Sequence, residues 1–168
     1  MTAAMSTADQ VAPVADEPGG PFGCSLERAR SVWSDAELAL GIPAGALESA
    51  DRAVAMFETT PAEQRNMGSE RMARLLQVLA HLRLGDPAAA HLALTPVLAT
   101  AAEHRIRPLM ARLADIDAAA ASLRRATDPQ VLLLRNDITE FRRGLADGGA
   151  TTLQGAGSAP WTLATRTP

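Results

Sequence analysis

The side chains able to do chemistry in this 168-residue chain are few, and their spacing argues against catalysis. His81, His91 and His104 are the three histidines, and no two stand four apart, the separation that puts two ligands on one helix face. No H-E-x-x-H occurs. Asp115 and Asp117 are two positions apart, about 200° around a helix, so they cannot serve one substrate as acid and base. Serines, threonines and the single cysteine, Cys24, lie in no triad-like setting, and the glycine patterns G-x-x-x-x-G-K and G-x-G-x-x-G are absent. No enzymatic activity, cofactor or metal is expected. Arg124-Arg125-Ala126-Thr127 is a plausible kinase target, but Thr127 is better explained as helix-boundary chemistry before Asp128-Pro129.

What does suggest recognition is a polar stripe. Glu70, Arg74, Gln77 and His81 recur at steps of four, three and four, opposite a core stripe centred near Leu79. In stacked helical hairpins the first helices line the concave wall, so this stripe can face a groove, joined by Arg107 from the next first helix. Arginine's fork of donors then favours an acidic or carboxylate-bearing partner. The competing reading is an ordinary solvated face.

Composition narrows the classes. Hydrophobic residues make up 47% and charged residues 21%, as in a globular chain, whereas aromatics are only 3% and tyrosine is absent, which disfavours aromatic sheets and base-stacking platforms. The net charge of −3 makes sequence-specific nucleic-acid binding by this chain unexpected. No apolar run is long enough to cross a bilayer, no signal-peptide pattern opens the chain, and one cysteine permits no intramolecular disulfide, so a cytoplasmic setting fits.

The elements that must position the stripe follow from periodicity and breakers. Residues 1–24 read as a disordered tail. Ser25 caps a helix carrying Leu26, Ala29, Val32, Trp33, Ala36 and Leu40, with Ser34-Asp35 as a candidate break. A second helix, about Ala44 to Glu58, follows Gly41-Ile42-Pro43. Thr60-Pro61-Ala62-Glu63 reads as a capping box restarting a helix, and Ser69 as a second cap before the long helix to Leu84, whose Met72, Leu75, Leu76, Leu79 and Leu82 share a face. Gly85 stops it, and Asp86-Pro87 opens the next helix, which Pro96 should kink or end early. A further helix to about Ala126 lines up Leu109, Leu113, Ile116, Ala120 and Leu123, with Ala111, Ala114 and Ala118 opposite, suited to packing on two sides. Asp128-Pro129 opens the last helix, to about Leu145, with Val131, Leu134, Ile138 and Phe141 in register. The domain is expected over 25–146, with a disordered tail over 147–168 in which Trp161 has no apolar neighbours.

Pro43, Pro87 and Pro129 each open the second helix of a pair, at spacings of 44 and 42 residues. Such a period is that of stacked helical hairpins. The expected fold is therefore all-α, three stacked antiparallel hairpins. At Leu84-Gly85-Asp86-Pro87-Ala88-Ala89-Ala90 the central hairpin resembles a tetratricopeptide (TPR) unit, with Gly85-Asp86 at its turn, Ala90 as the small facing residue and Leu94 one turn on. Val78, His81 and Ala102 depart from that family's small residue, tyrosine and closing proline. Residues 38–143, including A-L-E-S-A-D-R-A-V-A-M-F-E-T-T-P-A-E-Q-R and H-L-R-L-G-D-P-A-A-A-H, are similar to the C-terminal TPR-like region of bacterial Xre-type helix-turn-helix transcriptional regulators. The resemblance implies a solenoid that dimerises or receives a peptide or small effector, while a separate domain reads DNA. No counterpart of that domain is expected here, because too little chain precedes Ser25. The expected function is a regulatory binding module with a peptide or protein partner, a DNA-binding regulator among the candidates, or a homodimer. The alternative is a purely structural dimerisation domain or a remnant of a longer regulator without a ligand.

Overall fold

The computed structural model describes residues 25–124 and 126–152, with side chains through residue 144. The expectations for residues 1–24 and 153–168, Trp161 included, and for Arg125 lie outside the described residues. Among the described residues six helices follow one another: α1 (Leu26–Ala39), α2 (Pro43–Thr59), α3 (Met67–Leu84), α4 (Pro87–Leu98), α5 (Arg107–Ala121) and α6 (Pro129–Thr152), with a 3-10 turn at Ala102–His104 before α5. No strand occurs among the described residues, and none of their helices is long and apolar enough to cross a membrane.

Local chemistry sets the boundaries. Pro43, Pro87 and Pro129 are the first residues of α2, α4 and α6. Gly85, at φ 80°, closes α3 with Gly85 N–H donating to Leu82 O and Asp86 N–H to His81 O. Gly41, at φ 73°, does the same after α1 through Leu38 O and Glu37 O. Both turns need the left-handed conformation that glycine adopts without a Cβ clash. The Asp86 carboxylate accepts from Ala89 N–H at 2.9 Å, and the Asp128 carboxylate from Gln130 N–H at 2.9 Å.

Several expected boundaries move. Thr60-Pro61-Ala62-Glu63 does not restart a helix; it makes a turn in which Gln64 N–H donates to Pro61 O, and α3 begins at Met67. Asn66 wins the cap, its side chain accepting from Ser69 N–H at 3.0 Å, so Ser69 sits inside the first turn. Arg65 explains the outcome, because its guanidinium donates to Glu58 O and Thr60 O and folds the Thr60 segment back on the end of α2. Pro96 stands within α4, which ends at Leu98. The last helix continues to Thr152, beyond the expected end near Leu145.

Packing is organised around α3, which contacts α1, α2, α4 and α5. Leu75, Val78, Ala80 and Leu82 are essentially fully buried there, against Leu94 and Val97 of α4, Leu113 and Ile116 of α5, and Leu134 and Ile138 of α6. Each such leucine, isoleucine or valine contributes about 1.5–3 kcal/mol of burial. A smaller cluster, Ala53, Val54 and Phe57 with Ala73, seals α2 onto α3. Among the described residues α4 packs on α6, not on α5, which follows it in the chain. The connection carrying the 3-10 turn lets α5 cross to the side of α3, and Ala111 and Ala118 on its outer face stay exposed.

The first helix departs most from its sequence pattern. Its buried residues are Arg30, Ser34, Glu37 and Leu38, while Val32 is 60% and Leu40 64% exposed. The start of α2 presents polar groups that require polar partners: Ser34 Oγ donates to Ala46 O at 2.8 Å, and Ser49 Oγ donates to Glu37 Oε2 at 2.8 Å. Ser34-Asp35 therefore does not break α1; its serine is a buried donor joining the two helices.

Candidate functional site

The polar stripe of α3 meets α2. Arg74 donates to Glu70 Oε1 and, at 2.7 Å, to Glu58 Oε1 near the end of α2, and its side chain is 15% exposed. Gln77 Nε2 donates to Asp51 Oδ1 at 2.8 Å. Glu70 is buried, and its other oxygen lies 3.8 Å from Arg65. Burial alone pulls the Arg74 guanidinium down, but the hydrogen bonds and charges of Glu58 and Glu70 outweigh it, and its pKa is raised. His81 is partly buried further along α3, and Arg107 is exposed at the start of α5, a helix with no packing on α2 among the described residues. Glu70, Arg74 and Gln77 are thus brought together as the polar half of the α2–α3 contact, and Arg107 is not brought to them. The sequence reading assumed that this face of α3 was free, whereas α2 packs along it.

An open groove lies elsewhere, across the first helices α1, α3 and α5, with a volume of about 450 Å³. Its floor is Met72 and Leu76 of α3. One wall is Arg28, Val32 and Asp35 of α1, and the other is Ile106 and Arg112 at the start of α5. The apolar content is exposed, with Val32 at 60% and Ile106 at 50%. Arg112 Nη2 donates to Asp35 Oδ1 at 3.0 Å, and Arg28 is exposed with no hydrogen bond or ion pair among the described residues. The amino ends of α3 and α5 border the groove at Asn66 and Ile106 and add positive partial charge. An apolar floor with a few directional cations is what a small-ligand site requires, and the volume lies within the range of such sites. No single stretch of the sequence signalled it, because its lining is shared among three helices.

A second, smaller hollow of about 310 Å³ lies at the α3–α4 turn, between Leu82, Leu84 and Pro87 on one side and Leu123, Arg124 and Val131 on the other. The histidines do not converge: His91 Nε2 pairs with Asp137 Oδ2 at 2.6 Å between α4 and α6, His81 lies on α3, and His104 is exposed in the 3-10 turn. Among the described residues no three His, Cys, Asp or Glu side chains come together to hold a metal ion.

No protein family, no curated protein and no solved structure matches this chain.

Proposed function

We propose that this chain is a non-enzymatic regulatory binding module, a TPR-like array of three stacked hairpins that receives a short peptide or small effector and works in the cytoplasm alongside a DNA-binding regulator. The observation that carries this reading is the groove spanning α1, α3 and α5, because in stacked hairpins the first helices form the concave wall where ligands lie. Supporting it are the three prolines that open the second helices and the packing of α1 on α3 and α3 on α5. The packing of α4 on α6, where a regular array sets each second helix against the next first helix, is a local departure. The binding residues in this reading are Arg28, Val32, Met72, Ile106 and Arg112, in place of the Glu70–His81 stripe. With a net charge of −3 the chain does not read DNA by itself; regulation passes through its partner.

Native mass spectrometry against a panel of short peptides and small organic acids tests the reading. The expected result is one-to-one binding of at least one member, lost in Ile106→Asp and retained in Leu84→Asp at the other hollow. Loss in Leu84→Asp instead, or a sequence-selective duplex complex formed by the purified chain alone, overturns it.

A further inference from the structure

The first of the described helices carries an apolar stripe along one flank. While α1 turns Arg30, Ser34, Glu37 and Leu38 into the protein, Leu26, Ala29, Trp33, Ala36 and Leu40 follow one another at steps of three, four, three and four along a flank. None of the five is buried: Leu40 is 64% exposed, Ala36 is exposed, and Leu26, Ala29 and Trp33 are partly covered. Alternating steps of three and four are the spacing of a seam between two helices. Among the described residues no other helix takes up this flank, and contiguous exposed apolar surface marks a contact site.

The order of residues identifies the partner. From Trp33 outward the stripe reads alanine then leucine in both directions, Ala29 and Leu26 one way, Ala36 and Leu40 the other. A second copy of α1 laid antiparallel, with a two-fold axis at Trp33, sets Leu26 against Leu40 of the second copy and Ala29 within one residue of Ala36. The two indoles meet at the axis, and the flanking alanines leave room for them. This is the self-complementarity that a closed two-fold contact requires. Antiparallel pairing also sets the positive end of one helix dipole beside the negative end of the other, whereas parallel pairing aligns like ends.

We infer that α1 is a self-association surface through which two copies of this chain pair antiparallel along Leu26, Ala29, Trp33, Ala36 and Leu40. The groove uses a different flank of α1, at Arg28, Val32 and Asp35, so pairing leaves it open and does not depend on what the groove binds.

Sedimentation equilibrium of the full chain tests the inference. The expected result is a concentration-dependent dimer that weakens at least about thirty-fold in Trp33→Asp, as a central aromatic anchor does. Leu40→Asp, at a site that is already exposed, weakens it as well. In a Cys24→Ser background, Ala29→Cys with Ala36→Cys forms an intermolecular disulfide on oxidation, while Ala29→Cys alone does not. A chain that stays monomeric at hundreds of micromolar overturns the inference. So does a dimer unaffected by both aspartate variants, or cross-linking by Ala29→Cys alone, which reports parallel pairing.

Discussion

Arg112 of α5 and Asp35 of α1 meet at 3.0 Å across the groove, joining two helices that each pack on α3 and, among the described residues, not on one another. Their side chains are 25% and 50% exposed, so the pair is screened by solvent and salt. A double-mutant cycle with Asp35→Asn and Arg112→Gln, followed by urea unfolding, is expected to give a coupling of about 0.2–1 kcal/mol that fades in high salt. The same exposure leaves Arg112 available to a ligand carboxylate once Asp35 is neutralised, so Asp35→Asn is expected to tighten any acidic groove ligand and Arg112→Gln to weaken it, read by calorimetry.

Arg74 presents the opposite situation, because it is enclosed between Glu58 and Glu70. Arg74→Glu sets three carboxylates together with Glu70 buried, and a loss of about 2–4 kcal/mol in unfolding free energy is expected. Because the folded-state pKa of Arg74 is raised, its contribution is complete below the unfolded value and is lost only as pH rises through the folded one, at strongly alkaline pH. The stability difference between Arg74→Gln and the parent chain should therefore show no titration of Arg74 from about pH 5 to pH 9. Leu79→Ala, by comparison, should cost about 2–5 kcal/mol at every pH in that range.

Gly45 tests the buried polar joint between α1 and α2. A Cβ built there would lie 2.9 Å from Glu37 Oε1, while Glu37 Oε2 is held by Ser49 Oγ. In an unconstrained helix Gly→Ala gains about 0.8–1 kcal/mol. Here Gly45→Ala is expected to lose about 1 kcal/mol, because the buried Glu37 carboxylate must shift from its place against Ser49 Oγ. Removing the obstacle with Glu37→Ala should reverse the sign of the Gly45→Ala effect, and thermal unfolding of the four chains measures it.

Arg105 fastens α6 to the connection before α5. Its Nε donates to Thr100 O and its Nη1 to Phe141 O, both at 3.0 Å, and the guanidinium carbon lies 3.9 Å from the centre of the Phe141 ring. A Cβ on Gly144 would come within 3.0 Å of that Nη1. Arg105→Ala is expected to accelerate amide hydrogen exchange in α6 near Phe141 while leaving α2 and α3 unchanged, since the clasp is confined to one end of the bundle.

The turns were the most legible part of the sequence, because Gly85-Asp86-Pro87 and Asp128-Pro129 encode their conformations within a few residues. The core face of α3 was equally plain, Leu75 to Leu82 being spaced for one side of a helix. What stayed hidden depended on neighbours. Thr60 and Asn66 are both competent caps, and the bonds of Arg65 to Glu58 O and Thr60 O decided between them. Glu70, Arg74 and Gln77 look solvated on a helical wheel, yet α2 lies against them with Asp51 and Glu58. In α1 the alternation of types pointed inward at Trp33 and Leu40, while the polar groups of α2 at Ala46 and Ser49 drew Ser34 and Glu37 inside instead. The groove at Val32 and Ile106 was invisible because it belongs to three helices at once.

The binding claim is tested most directly by methyl NMR of the full chain titrated with a bound member of the peptide and small-acid panel. Shifts concentrated at Val32, Met72, Leu76 and Ile106 are the result this account predicts. Shifts concentrated at Leu84, Leu123 and Val131, or spread evenly over the exposed leucines, would contradict it.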